Sequence, residues 1–277
     1  MLGGMAMMPH GNEVLEPGDE KTRQLADVLR RIGEEFREFD VYVIVTPHNI
    51  KISDHIGIIF AENLISWLGF AGVEFQGEYK TDRKLAEEIY LESRRAGIPV
   101  VDINFAALSG EYSRFPLTWG ELIPLHFLDA KPLVVVTPAG KMPRELLVRF
   151  GEILAGSLEI YDGKVGLVIS ADHGHAHTPK GPYGYAPESE EYDELVMRLI
   201  RENRLEKLME LDENFIQKAK PDSYWQLLIM LGVLRKVPME LKATAYACPT
   251  YFGMGAALYV RDAVNNSLSN SPRVGQG

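Results

Sequence analysis

The chain has 277 residues, a net charge of −10 at neutral pH and a single cysteine, Cys248. This length suits a sizeable core, and an acidic chain without a block of Lys and Arg argues against a general nucleic-acid or anionic-membrane surface. One cysteine excludes an intrachain disulfide and a Cys-rich zinc module, so we expect a protein of the reducing cytoplasm.

The predicted elements alternate between strands and helices. The short apolar start lacks a basic leader and is predicted to be a strand rather than a signal peptide. Continuous β-branched runs are typical of strands buried on both faces, and apolar residues at helical spacing indicate amphipathic helices. No apolar run has the length of a membrane span. In chain order, the predicted strands are residues 4–8, 41–46, 99–103, 132–137, 165–170, 242–247 and 256–260, and the predicted helices are 20–39, 84–95, 144–154, 189–202, 212–218 and 223–235.

This order predicts one α/β domain over residues 1–264, with a mainly parallel or mixed central sheet and helices on both faces. Residues 265–277 are polar with Gly and Pro, and we expect them to form a flexible C-terminal tail.

Three of the predicted strands end in histidine. His10 follows the first strand, His48 follows the second, and His173, His175 and His177 follow the strand at 165–170. The carboxyl ends of parallel strands meet at one edge of a sheet, where ligands bind. Neutral imidazole is a good ligand for Fe, Zn, Cu or Ni. The pattern therefore predicts a divalent metal ion in a cleft at this edge, with the roles within the triple-His run left open.

Four segments together resemble a known family. They are MPHG at 8–11, TPHN at 46–49, WGELIPL at 119–125 and ISADHGH at 169–175. In order and spacing they are similar to the class III extradiol dioxygenases, the superfamily of the protocatechuate 4,5-dioxygenase β subunit. That superfamily also contains the aminophenol and DOPA dioxygenases and the Memo proteins. The resemblance extends from residue 6 to about residue 260.

The resemblance implies a role for each of several residues. His10 and His48 would bind Fe(II), and His175, at the end of a segment similar to Ser-Gly-Asp-x-x-His, would be the catalytic acid–base. The third ligand of the family is a glutamate shortly before a tryptophan. Asp222 stands near that position, and its alternative role is a helix N-cap. Glu13, close to His10, is the alternative carboxylate.

Two departures concern the substrate. Many members have a histidine where this chain has Trp119, and His126 is a candidate to replace it in catalysis. Tyr183, in the Gly- and Pro-rich loop at 181–185, is a candidate for contact with a ring, although the loop is equally consistent with a surface turn. Trp119, His173, His177 and Tyr183 form the predicted substrate-binding set.

These residues predict a non-haem Fe(II) extradiol dioxygenase that opens a catechol or aminophenol ring with O₂, an activity of aromatic catabolism. Two alternatives use the same cleft: a zinc or manganese hydrolase with a metal-activated water, and a Memo-like metal- or peptide-binding protein without oxygenase activity. The expected partners are the small aromatic substrate, O₂ and further copies of the chain, and the sequence leaves open a small partner subunit of the kind that some relatives have.

Overall fold

The computed structural model describes residues 1–70 and 72–261. The strands are β1 (Leu2–Met8), β2 (Val41–Val45), β3 (Ile56–Ile59), β4 (Asn63–Phe70), β5 (Val73–Lys80), β6 (Val100–Ile103), β7 (Arg114–Pro116), β8 (Leu133–Thr137), β9 (Val165–Ser170), β10 (Glu240–Ala247) and β11 (Met254–Val260). The helices are α1 (Glu20–Phe36), α2 (Arg83–Arg95), α3 (Trp119–His126), α4 (Arg144–Glu159), α5 (Pro187–Arg201), α6 (Glu213–Ala219) and α7 (Tyr224–Lys236).

Eight strands form a mixed central sheet in the order β10-β11-β1-β9-β2-β8-β3-β6. Strands β1, β9, β2 and β8 are parallel neighbours. Strand β3 runs antiparallel to β8 but parallel to β6, and β11 runs antiparallel to both β1 and β10. The predicted fold class, a single α/β domain with a mixed sheet between helices, is confirmed. The parallel centre carries the three strands that end in histidine.

The central strands are buried on both faces because successive side chains point to opposite sides. In β2, Val41, Val43 and Val45 belong to one core, and Tyr42 and Ile44 belong to the other. Helices α1 and α3 cover one face of the sheet, and α2, α4, α5 and α7 cover the other.

Helix α7 is held against α4 by a close backbone approach. A Cβ atom on Gly151 would lie 2.0 Å from the Ile229 carbonyl oxygen, and one on Gly232 would lie 1.9 Å from that of Val148. Only glycine fits at these contacts. The packing therefore fixes the start of α7, two residues after Asp222.

Several elements were absent from the sequence-based expectation. Strands β4, β5 and β7 form a separate three-stranded sheet, and α3 contains Pro124 in its interior. An internal proline normally interrupts a helix, which weakened the signal for α3. Strand β3 was also not expected, and the alternation of Val73, Phe75 and Tyr79 with polar residues in β5 was a strand signal that the sequence reading missed. The predicted tail at 265–277 lies outside the described residues. Within the described part of the chain, no helix has both the length and the apolar character needed to cross a membrane.

Candidate metal centre

The carboxyl ends of β1, β9 and β2 lie side by side. Met8 pairs with Ser170, and Val45 pairs with Ile169, so the three strands end almost level. His10 stands two residues beyond β1, and His48 stands three residues beyond β2. Strand pairing therefore brings together two histidines that are 38 residues apart in sequence.

His10 is almost completely buried, and both of its ring nitrogens have partners. Its Nδ1 lies 2.9 Å from Ser170 Oγ, and that hydroxyl donates to the Gly120 carbonyl oxygen at 2.5 Å. Because the hydroxyl proton is used on Gly120, Ser170 Oγ accepts from the Nδ1–H of His10. Nε2 faces the other histidine, His48. A histidine that donates from Nδ1 to a neighbouring group and turns Nε2 to the metal is typical of metal sites.

The loop after β2 aims His48 at His10. Asn49 has a φ of +81°, in the left-handed region that asparagine tolerates better than most residues. Its side-chain amide donates to the Pro116 carbonyl oxygen and to Glu121 Oε1, both at 3.1 Å. Gly120 lies against the same loop, where a Cβ atom would stand 2.9 Å from His48 Cβ. These contacts turn the chain directly after His48 and hold its ring.

Asp222 completes a group of three potential ligands. Its Oδ2 lies 3.0 Å from His10 Nε2 and 3.3 Å from His48 Nε2, and its Oδ1 accepts the Asp172 backbone N–H at 3.0 Å. The residue lies before the first turn of α7, but Ser223 occupies the N-cap position. Glu13, the alternative carboxylate, is not in this group.

The three atoms have the spacing expected of ligands on one face of a metal ion. The two Nε2 atoms are 2.9 Å apart, so the edges of the triangle are 2.9, 3.0 and 3.3 Å. With metal–ligand bonds of about 2.1 Å, ligands at right angles are about 3.0 Å apart, whereas tetrahedral ligands are about 3.4 Å apart. Edges of this length fit three ligands of a single divalent metal ion, and the donors are those of two-His, one-carboxylate sites.

The titratable groups in and beside this triangle strongly change one another's pKa values. Burial lowers the pKa of His10, but the carboxylates of Asp172 and Asp222 outweigh burial and raise it to about 9. Burial also raises the pKa of Asp172, to about 7, and lowers that of His48. Although burial opposes ionisation of Asp222, His10 and His48 hold its pKa well below the usual range. A divalent ion bound here would replace the proton on His10.

A cleft of about 380 Å³ opens beside the two histidines. Its walls are largely aromatic: Trp119 packs on His48 with ring centroids 4.6 Å apart, and Tyr183 lies 5.9 Å from His175. The His175 ring stacks on Phe252 at 5.4 Å, and its Nδ1 donates to the His173 carbonyl oxygen at 2.7 Å. That bond leaves Nε2 of His175 with a free lone pair. The structure thus brings His10, His48, Asp222, His175, Trp119 and Tyr183 to one place.

Three other predicted site residues lie elsewhere, so the structure does not assemble them with the cleft. His173 is fully buried beneath it and bonds to Ser223 Oγ through Nδ1 at 3.1 Å. His177 pairs with Asp193 at 2.9 Å, and this pair, despite the opposing effect of burial, raises the pKa of His177 to about 10. His126 is exposed at the far end of α3, beside Phe75 and Phe127. In a straight extended segment, His173, His175 and His177 would point to the same side. They do not, because the chain bends after β9.

Sequence reasoning missed Tyr251 and Phe252, which form one wall of the cleft. They lie between β10 and β11, and the Phe-Gly-Met-Gly run at 252–255 was the available signal of a close approach. A Cβ atom on Gly11 would lie 2.5 Å from the Phe252 ring, so this wall packs directly on the loop that carries His10.

Comparisons with known proteins agree with this geometry. Residues 4–259 match the family model described as the catalytic LigB subunit of aromatic ring-opening dioxygenase. Protein CA_C1420 of Clostridium acetobutylicum is 24% identical over 281 residues, with 97% of this chain and 59% of that protein covered. This chain thus spans less than two thirds of that relative. The crystal structure of the uncharacterized protein JW3007 from Escherichia coli K12 superposes with a TM-score of 0.61 at 16% identity, covering 92% of this chain and 99% of that one, and so shares the fold.

Proposed function

We propose that this chain, which belongs to the LigB family of catalytic subunits of aromatic ring-opening dioxygenases, is a non-haem Fe(II) extradiol dioxygenase acting on a catechol or aminophenol. The observation that carries the proposal is the triangle of His10, His48 and Asp222 at the edge of an aromatic cleft. Two imidazole nitrogens and one carboxylate oxygen this close together are the donor set that would hold a non-haem Fe(II) ion.

His10, His48 and Asp222 would hold the iron. When bound, Fe(II) supplies coordination sites for the substrate oxygens and O₂ and a route for electrons between them. Ser170 keeps the Nε2 lone pair of His10 turned inward, and the backbone N–H of Asp172 holds the Asp222 carboxylate. The protein thus supplies a preorganised set of ligands.

His175 would move a proton on the substrate. Since its Nδ1–H is used on the His173 carbonyl, its Nε2 can accept the proton of a substrate hydroxyl. The flat stacking of its ring on Phe252 fixes the direction of that lone pair. After ring opening the same imidazolium can return the proton to the product.

The aromatic walls would orient a planar substrate and exclude water. Trp119 and Tyr183 flank the opening and are 41% and 53% exposed, so each has surface left for a ring to cover. An aromatic ring packed between such faces gains contact area and offset stacking. The cleft volume of about 380 Å³ is within the range of small-ligand pockets.

The test is oxygen consumption by the full chain loaded anaerobically with Fe(II) and then offered catechols and aminophenols. We expect oxygen uptake with a ring-opened chromophore, lost in His175→Gln and kept in His126→Gln, a matched change outside the cleft. Absence of uptake with every substrate would overturn the proposal. Zinc in protein purified without added metal, together with no uptake, would support the hydrolase instead.

A further inference from the structure

The cleft beside the metal centre has an unusual balance of charge for a site that binds an aromatic ring. Among the described residues, the side chains that line it include the carboxylate of Asp172 but no Lys or Arg. Lys51 and Lys141 line a second pocket, which Asp222 also lines. The cationic imidazole of His10 also lines the cleft, but it is already paired with Asp172 at 3.3 Å and with Asp222 at 3.0 Å. A ring bearing a carboxylate would therefore find no unpaired cation among the described residues that line this cleft.

A second carboxylate stands behind the wall of the cleft. Glu13 directly follows Gly11 and Asn12, both of which line the cleft, and its Oε2 is buried with no hydrogen-bond partner. Burial, then Tyr183 and Glu13, raise the pKa of Tyr251, so the charge of Glu13 reaches the aromatic wall. An unpaired carboxylate in this position is stabilised by a nearby cation.

A carboxylate of the protein already stands at the start of the helix that begins at the cleft. A helix N-terminus attracts negative charge, and α3 starts at Trp119 on the cleft wall. Here Glu121 Oε2 already accepts the Thr118 backbone N–H at 2.6 Å and the Thr118 hydroxyl at 2.9 Å. The buried Glu121 carboxylate therefore adds negative charge at this end of the helix and makes it less favourable for a second carboxylate.

The aromatic walls complete the pattern. Trp119, Tyr183 and Tyr251 line the same space, and the face of an aromatic ring attracts an ammonium group. We propose that the cleft takes an aromatic substrate whose side chain carries a protonated amine rather than a carboxylate. This inference rests on the proposed function for the reaction, but the charge preference is a property of the cleft itself.

The first experiment measures binding to the metal-free full chain at pH 7 by calorimetry. The probes are 2-phenylethylamine, 3-phenylpropionate and the neutral 2-phenylethanol, which share a ring and a two-carbon linker. We expect the amine to bind about 10-fold more tightly than the carboxylate, with the difference shrinking as salt is added. Equal affinities, tighter binding of the carboxylate, or no binding by any of the three would overturn the inference.

A variant that removes the charge of Glu13 tests whether this carboxylate causes the preference for an amine. Glu13→Gln should reduce the advantage of the amine about threefold, whereas Glu16→Gln, the same charge change on an exposed residue, should leave it unchanged. Equal effects of the two variants would contradict the role of Glu13. If Glu13→Gln fails to fold, Trp119→Leu should weaken the amine more than the alcohol.

Turnover separates this inference from the proposed function. With Fe(II)-loaded protein, kcat/KM should be higher for 4-(2-aminoethyl)catechol than for 3-(3,4-dihydroxyphenyl)propionate. Oxygen uptake that favours the propionate would overturn the charge preference and leave the dioxygenase assignment standing. Selective binding of the amine without any uptake would refute the dioxygenase assignment and leave the preference standing.

Discussion

Ser170→Ala should weaken metal binding although Ser170 does not contact the metal. The Ser170 hydroxyl is fully buried, accepts from His10 Nδ1 at 2.9 Å and donates to Gly120 O at 2.5 Å. The variant leaves a buried imidazole N–H without an acceptor, a loss of about 1–3 kcal/mol. It also frees His10 to place its proton on Nε2 towards Asp222, the nitrogen that the metal needs. We therefore expect the dissociation constant for Fe(II) or Mn(II) to rise about 10- to 100-fold, the usual effect of losing an outer partner.

Competition with a chromophoric chelator under anaerobic conditions measures that constant. The matched control is Ser157→Ala, because Ser157 is also buried but its hydroxyl has no hydrogen-bond partner. Ser157→Ala should leave metal affinity within about twofold of wild type. The reasoning fails if the two variants bind metal equally well, or if Ser170→Ala loses stability without any change in metal affinity.

Three further predictions concern the cleft and its surroundings. His175→Gln should lower kcat about 10²–10⁴-fold while metal affinity, followed by the same chelator assay, stays unchanged; a parallel loss of metal would refute its acid–base role. Asp222→Asn should abolish tight metal binding and Glu13→Gln should not, so the opposite result would exchange their roles. The His177–Asp193 pair raises the pKa of His177 to about 10 from its usual 6.5, so its stabilisation is complete below about pH 6.5 and disappears as pH rises to about 10. Denaturant unfolding should show the stability difference between wild type and His177→Gln shrinking across that range, and a constant difference would count against the pair.

Local signals in the sequence were sufficient to predict the framework. β-Branched runs marked the buried strands, and β1, β2 and β9 were expected at nearly their observed bounds. Since parallel strands share one carboxyl edge, the histidines that follow them could be placed together from topology alone. The resemblance of four segments to class III extradiol dioxygenases then suggested separate roles for His10, His48 and His175, and the family assignment is confirmed.

Tertiary structure alone decided which residues share the cleft. His173 and His177 stand two residues on either side of His175, yet one is buried under the cleft and the other pairs with Asp193. A bend in the backbone, set by packing against other elements, overrides the simple alternation of an extended segment.

Tertiary structure also decided which residues from distant parts of the chain reach the site. The packing of α7 on α4 sets Asp222 beside His10, 212 positions away, and the loop before β11 supplies Phe252 to stack on His175. The sequence by itself determined the parallel strands β1, β2, β8 and β9, their order along the chain and the histidines that follow β1 and β2. Long-range packing decided the third carboxylate, the aromatic walls and the charge of the cleft, because side chains far apart in sequence meet only when the helices and sheet close on one core.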